Sequence, residues 1–123
     1  MTNGGNVKSS TDLLKDVLDI RGIDEVFLVG RDGFVVESLV QDEDVDMDAI
    51  GASIAGAVSK VLELETGLKA GTFKEMYVEY QNKMIICVPV SDMVLAVVAS
   101  ETSSLASIRF KLKKQIPETI DFG

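Results

Sequence analysis

AIGASIAGAVSKVL, residues 49–62, carries one charge in fourteen positions and reads as a helix whose two sides are unlike. At about 100° per residue, Met47, Ile50, Ile54, Val58, Val61 and Leu62 fall on one stripe, and Ala49, Ala52, Ser53, Gly56, Lys60 and Glu63 fall opposite. The first stripe requires a core. A helix on a protein surface normally turns long charged side chains to water, but this far side is small and nearly flat over three turns. Close approach by a second body is the expectation.

On either side of this helix the chain alternates helical and extended patterns. A helix capped by Ser10 or Thr11 runs to about Arg21, with Leu13, Leu14, Val17 and Leu18 on one face and Gly22 as its stop. Two β-rich runs follow, Glu25–Gly30 and Phe34–Leu39, separated by Arg31-Asp32-Gly33, a hairpin signal. Val26 to Val29 are apolar at both alternating positions, so that strand is expected to be covered on both faces. The middle helix spans Asp46–Thr66 and closes at Gly67. Phe73–Tyr80, Lys83–Val88 and Val94–Ala99 then form a meander, with charges on Phe73–Tyr80 that suit an outer strand. A last helix, capped by Ser103 or Ser104, reaches Ile116 with Leu105, Ile108, Leu112 and Ile116 inward, and Pro117 limits it. Phe110 lies off that stripe and is expected against the first helix. The order α-β-β-α-β-β-β-α implies an α/β (α+β) three-layer sandwich around a five-stranded antiparallel sheet, with the first and third helices on one face and the second on the other. Residues 1–9 read as a disordered lead, 10–118 as one domain and 119–123 as a tail.

Composition narrows the function. The chain has 123 residues, 12 basic and 20 acidic, for a net charge of −8. That balance repels nucleic-acid phosphates and anionic lipid. No apolar stretch approaches the ~20 residues of a membrane span, and a soluble cytoplasmic chain is expected. Histidine is absent. His-based acid–base catalysis, Ser–His and Cys–His pairs and the usual zinc sites are thereby excluded. Cys87, alone between Ile86 and Val88, reads as a buried inert thiol.

Three other features invite chemistry. The acidic run Asp42–Asp48 opens like a calcium loop, but Met47 stands where that loop needs Gly and Ser53 where it needs Glu, so helix capping by Asp46 or Asp48 explains it. Gly30-Arg31-Asp32-Gly33 lacks the rest of a phosphate loop and reads as a turn. Arg31 itself could serve as a finger donated to a GTPase, with exposure its only mark. Arg109, Lys111, Lys113 and Lys114 suit a helix C-terminus, and docking of a partner is the alternative.

Several strings together resemble the roadblock/dynein light chain family, and most of all its prokaryotic MglB-type members. They are Phe27-Leu28-Val29 before Arg31-Asp32-Gly33, the helix Ile50–Gly56, the strand Val94–Ala99, and Thr102–Arg109 followed by Lys113-Lys114. The resemblance spans residues 10–118 and implies a roadblock/profilin-like fold without catalysis or cofactor. It implies a homodimer joined through the second helix and the following strand, which binds a Ras-like small GTPase and stimulates its hydrolysis in polarity or motility systems. Carried onto this chain, the partner-binding residues are Ala49, Ala52, Ser53, Gly56 and Lys60, and the dimer residues Met76, Val78 and Tyr80. An adaptor that only assembles a complex and a small-molecule sensor domain remain the alternatives.

Overall fold

The computed structural model describes residues 7–41, 44–100 and 104–122. Along them run β1 (Val7–Ser9), α1 (Ser10–Leu18), β2 (Ile23–Gly30), β3 (Val35–Val40), α2 (Met47–Gly67), β4 (Met76–Glu79), β5 (Lys83–Val90), β6 (Met93–Ser100), α3 (Leu105–Gln115) and β7 (Thr119–Asp121). The expected five-stranded sheet is present, with order β3-β2-β6-β5-β4 and every pairing antiparallel.

The pleat divides the core in two. Val26 and Leu28 of β2 join Leu95 and Val97 of β6 beneath Leu13, Leu14 and Val17 of α1 and Ile108 and Leu112 of α3. Phe27 and Val29 point the other way, with Val94 and Ala96, toward Ile54, Ala55, Val58 and Leu62 of α2. β2 is therefore covered on both faces, while β6 holds the middle of the sheet. The helices divide as their periodicity implies.

Several boundaries depart from the sequence reading. Val7–Ser9, expected in a disordered lead, pairs in parallel with Thr119–Asp121, expected in the tail. Lys8 fastens the pair, donating to the Gln115 carbonyl at 2.8 Å and Oε1 at 2.9 Å and meeting Asp16 at 2.9 Å. Three-residue strands from opposite chain ends carry no periodicity to announce them. Ser9, not Ser10 or Thr11, caps α1 by accepting from the Asp12 N–H. That helix stops at Leu18, because a turn closed by Ile20 N–H to the Val17 carbonyl brings Ile20 and Ile23 into the core. At the end of α2 the left-handed residue is Lys69 (φ +52), two positions past the expected Gly67. Its N–H donates to Thr66 and that of Ala70 to Glu65.

Among the later elements, β5 continues through Pro89, which lies past the last β4 pair, Met76 with Cys87, where no outer strand needs its N–H. Ser104 caps α3, accepting from Ser107 N–H at 3.3 Å, and Ser103 lies outside the described residues. Phe110 does not pack on α1. It is 62% exposed and lies beneath the Lys114 ammonium, 4.4 Å from the ring centroid, because it projects opposite Ile108 and Leu112.

Two glycines of α2 predict opposite outcomes for added bulk. A Cβ at Gly51 would stand 3.0 Å from Val35 and 3.2 Å from the Phe27 ring, whereas one at Gly56 meets nothing within 4 Å. In urea unfolding, Gly51→Val is expected to destabilise the fold by about 1–3 kcal/mol through overpacking. Gly56→Ala is expected to stabilise it by roughly 0.5–1 kcal/mol through helix propensity.

Candidate functional site

Asp46 starts α2 by accepting from the Ala49 N–H at 3.1 Å, and Asp48 lies in the first turn. These contacts supply the cap expected from the acidic run, whose Asp42 and Glu43 lie outside the described residues. Gly51, Ile54, Ala55, Val58 and Leu62 are buried, and Met47 and Ile50 pack at the margin of the same cluster. Ala49, Ala52, Ser53, Gly56 and Lys60 are all exposed. Among the described residues, nothing lies within 4 Å of a Cβ placed on Gly56.

The position of α2 creates a groove. Gly51 faces Val35 and Phe27, and Gly33 (φ +90), which closes the β2–β3 turn, rests near Ser59, so α2 lies toward β2 and β3. One helix about 10 Å across cannot cover a face of five strands spaced about 4.8 Å apart. Ile85, Cys87 and Val98 consequently form the floor of an open groove of about 870 Å³. Ala49, Ile50, Ser53 and Ala57 make one wall, and Met76, Val78 and Tyr80 the other. Gln81, Asn82, Lys83 and Glu25 supply polar groups to its lining.

Two separately expected sets of residues thus meet in one place. Ala49 and Ser53 face Met76, Val78 and Tyr80 across the groove, whereas Ala52, Gly56 and Lys60 are absent from its lining and form the outer surface of the helix. Ala57, Ile85, Gln81 and Asn82 escaped the sequence reading. Ala57 stands four residues after Ser53 and could have been found from helical spacing. Residues on β5 needed the sheet order.

The two sheet edges also differ. On β3, Leu28 pairs Glu37 and Val29 pairs Val35, leaving Val36 as a bulge. Glu37 is further held by Ser10 Oγ at 2.7 Å and Thr11 Oγ1 at 2.9 Å. A bulge blunts an edge against a new strand. β4 keeps an unbroken register against β5 from Met76 to Glu79 and borders the groove.

Two carboxylates hold the approach to β4. Glu65 accepts from the Phe73 N–H at 2.6 Å and pairs with Arg31. The Phe73 hydrogen bond first, and Arg31 after it, lower the Glu65 pKa from 4.5 against the desolvation that would raise it. Arg31, imagined as a free finger, is committed to this contact. At Glu75, desolvation pushes the pKa up but is outweighed by hydrogen bonds from Arg109 and Tyr77 and by the charge of Lys113, so the carboxyl sits below its usual range. Arg109 donates to Glu75 at 3.1 and 2.8 Å and stands 5.5 Å from the Tyr77 ring centroid.

Burial pushes the Cys87 thiol up to about 12, which removes the thiolate a nucleophile needs. Among the described residues no group of His, Cys, Asp and Glu is placed to hold a metal ion, and no helix is long and apolar enough to cross a membrane.

The described residues form a three-layer α/β sandwich with one sheet face half covered and a regular edge beside the gap. The chain belongs to the Roadblock/LC7 domain family, whose model matches residues 10–99. It is similar to MglB of Myxococcus xanthus, with 25% identity, a TM-score of 0.68, and coverage of 85% of this chain and 82% of that one. For the gliding protein MglB of Thermus thermophilus the values are 19%, 0.71, 85% and 81%. Schizosaccharomyces pombe profilin shares the fold at 14% identity, with a TM-score of 0.63 and coverage of 88% and 94%. No curated protein matches the chain.

Cys87 is expected to resist a thiol reagent in the native protein at pH 8 and to react at once in denaturant. Native labelling as fast as that of free cysteine would show that the groove floor opens. Replacing Glu65 by Gln is expected to flatten the acid limb of the stability profile. Its carboxylate stabilises the fold fully above the usual value of 4.5, and the contribution fades as pH falls through the lowered native value. Thermal melting between pH 6 and pH 3 measures it.

Proposed function

We propose that two copies of this chain pair through their β4 edges, each lending its α2 to the groove of the other, and that the dimer binds and regulates a Ras-like small GTPase. The observation that carries the dimer is the half-covered face beside an unbulged edge strand. α1 and α3 together cover one side of the sheet, whereas α2 alone leaves a gap about one helix wide on the other. A second α2 would bring its small exposed face, with Ala49, Ser53 and Ala57, to the gap, its apolar stripe staying on its own sheet. Edge-to-edge pairing would satisfy the outward N–H and C=O groups of β4.

In this reading Ala49, Ser53, Met76, Val78 and Tyr80 form the dimer contact, with Ala52, Gly56 and Lys60 presented to the GTPase. Regulation follows if the platform binds one switch conformation more tightly than the other, since only differential affinity shifts an equilibrium. Membership of the Roadblock/LC7 family and likeness to MglB support a GTPase-related role. The chain would act without chemistry of its own, in the cytoplasm, in a polarity or motility system.

Sedimentation equilibrium and single-turnover GTP hydrolysis by the partner test the two halves. Val78→Asp is expected to weaken dimerisation about a hundredfold, because the carboxylate would be buried without a partner at a cost of roughly 3 kcal/mol. Gly56→Arg is expected to abolish pull-down of the GTPase while leaving the fold intact. A wild-type protein that stays monomeric at high concentration would overturn the arrangement. Binding without acceleration of hydrolysis would identify an adaptor. The groove is also within the size range of small-ligand sites, about 300–1,000 Å³, so a ligand retained in native mass spectrometry would establish a sensor instead.

A further inference from the structure

The face of the sheet opposite the α2 groove carries a second concavity. Between the C-terminal end of α3 and the approach to β4, Val88, Pro89, Ile116 and Pro117 line a notch of about 380 Å³, with Lys74 and Lys113 at its rim. Val88 belongs to the core cluster beneath α1 and α3, which places the notch on their side of the sheet. We infer that this notch is a docking site for an acidic peptide segment of a partner protein, with an apolar side chain in the notch and its carboxylates on the lysines.

Charge segregation carries the inference. The chain has net charge −8, yet Arg109, Lys111, Lys113 and Lys114 hold a third of its basic residues on one helix. The ion pairs there do not use up this charge. Arg109 already binds Glu75 through two hydrogen bonds, so Lys113 is left with a long contact of 3.8 Å to the same carboxylate and a side chain 59% exposed. Glu118, the carboxylate in the lining, is itself partnered. Lys114 and the exposed Phe110 ring beneath it continue the basic surface along α3.

The concave shape selects the partner. An apolar notch of this size takes one or two side chains of an extended peptide, whereas a bilayer presents no protruding group to enter it. The overall charge of −8 also repels anionic lipid beyond the local patch. The notch and the α2 groove lie on opposite faces of the sheet and share no lining residue.

The test uses the full chain and an array of acetylated heptapeptides, each with acidic residues around one central Leu, Val, Phe or Tyr, followed by fluorescence anisotropy of the strongest binder. Lys74→Glu combined with Lys113→Glu is expected to weaken binding about tenfold, while a single charge reversal on α1, Lys15→Glu, leaves it unchanged. Added salt is expected to weaken it further. Thermal melting checks that each variant folds, and Lys74→Ala replaces the double variant if that one does not. Absence of binding across the array, or equal loss in the Lys15 variant, overturns the site. Co-sedimentation with phosphatidylserine vesicles that is lost in the Lys74 and Lys113 variant overturns it in favour of a membrane.

Discussion

A five-stranded sheet has two faces of equal width, and the described residues form three helices with which to cover them. The fold rests on that mismatch. α1 and α3 lie side by side and bury Val26, Leu28, Leu95 and Val97, while α2 alone buries Phe27, Val29, Val94 and Ala96. Apolar burial stabilises by about 25 cal/mol per Å², so a half face left open forgoes stabilisation that full cover would supply. The open groove over Ile85 and Cys87 follows from counting helices, whatever fills it.

α2 is placed toward β3 by contacts that leave little freedom. Gly51 lets the helix approach Phe27 and Val35, Gly33 closes the β2–β3 turn beneath Ser59, and Arg31 joins that hairpin to Glu65 near the end of the helix. Glu65 also holds the Phe73 N–H, so the hairpin, the last turns of α2 and the segment leading to β4 share one carboxylate. From the other face, Arg109 holds Glu75 just ahead of the same strand. The β4 edge is thus positioned by side chains from both layers, which compensates for its having only four residues and one neighbouring strand.

Much of the site was legible because its signals are local. The contrast between Ile54, Val58 and Leu62 and the small residues opposite is a property of one helix, and two of those small residues, Ala49 and Ser53, line one wall of the groove. Met76, Val78 and Tyr80, which the resemblance to the roadblock family supplied as dimer residues, line the other wall. What could not be read was that these walls face one another, while Gly56 and Lys60 look elsewhere; that depends on how α2 is rotated and shifted across the sheet. Phe110 taught the converse lesson. Its apolarity argued for a packed position, but helical phase turned it outward, where Lys114 covers it.

Periodicity and turn signals determined the order of the eight elements from α1 to α3, the division of the helices between the two faces and the identity of the core stripe, because a period of 3.6 or 2 assigns each side chain to a side of its own element. Tertiary structure alone decided the strand order, the β1–β7 pairing, the bulge at Val36 and the gap beside α2. Those features arise where distant segments meet, and the geometry of such meetings is set by packing against partners that no local stretch of sequence contains.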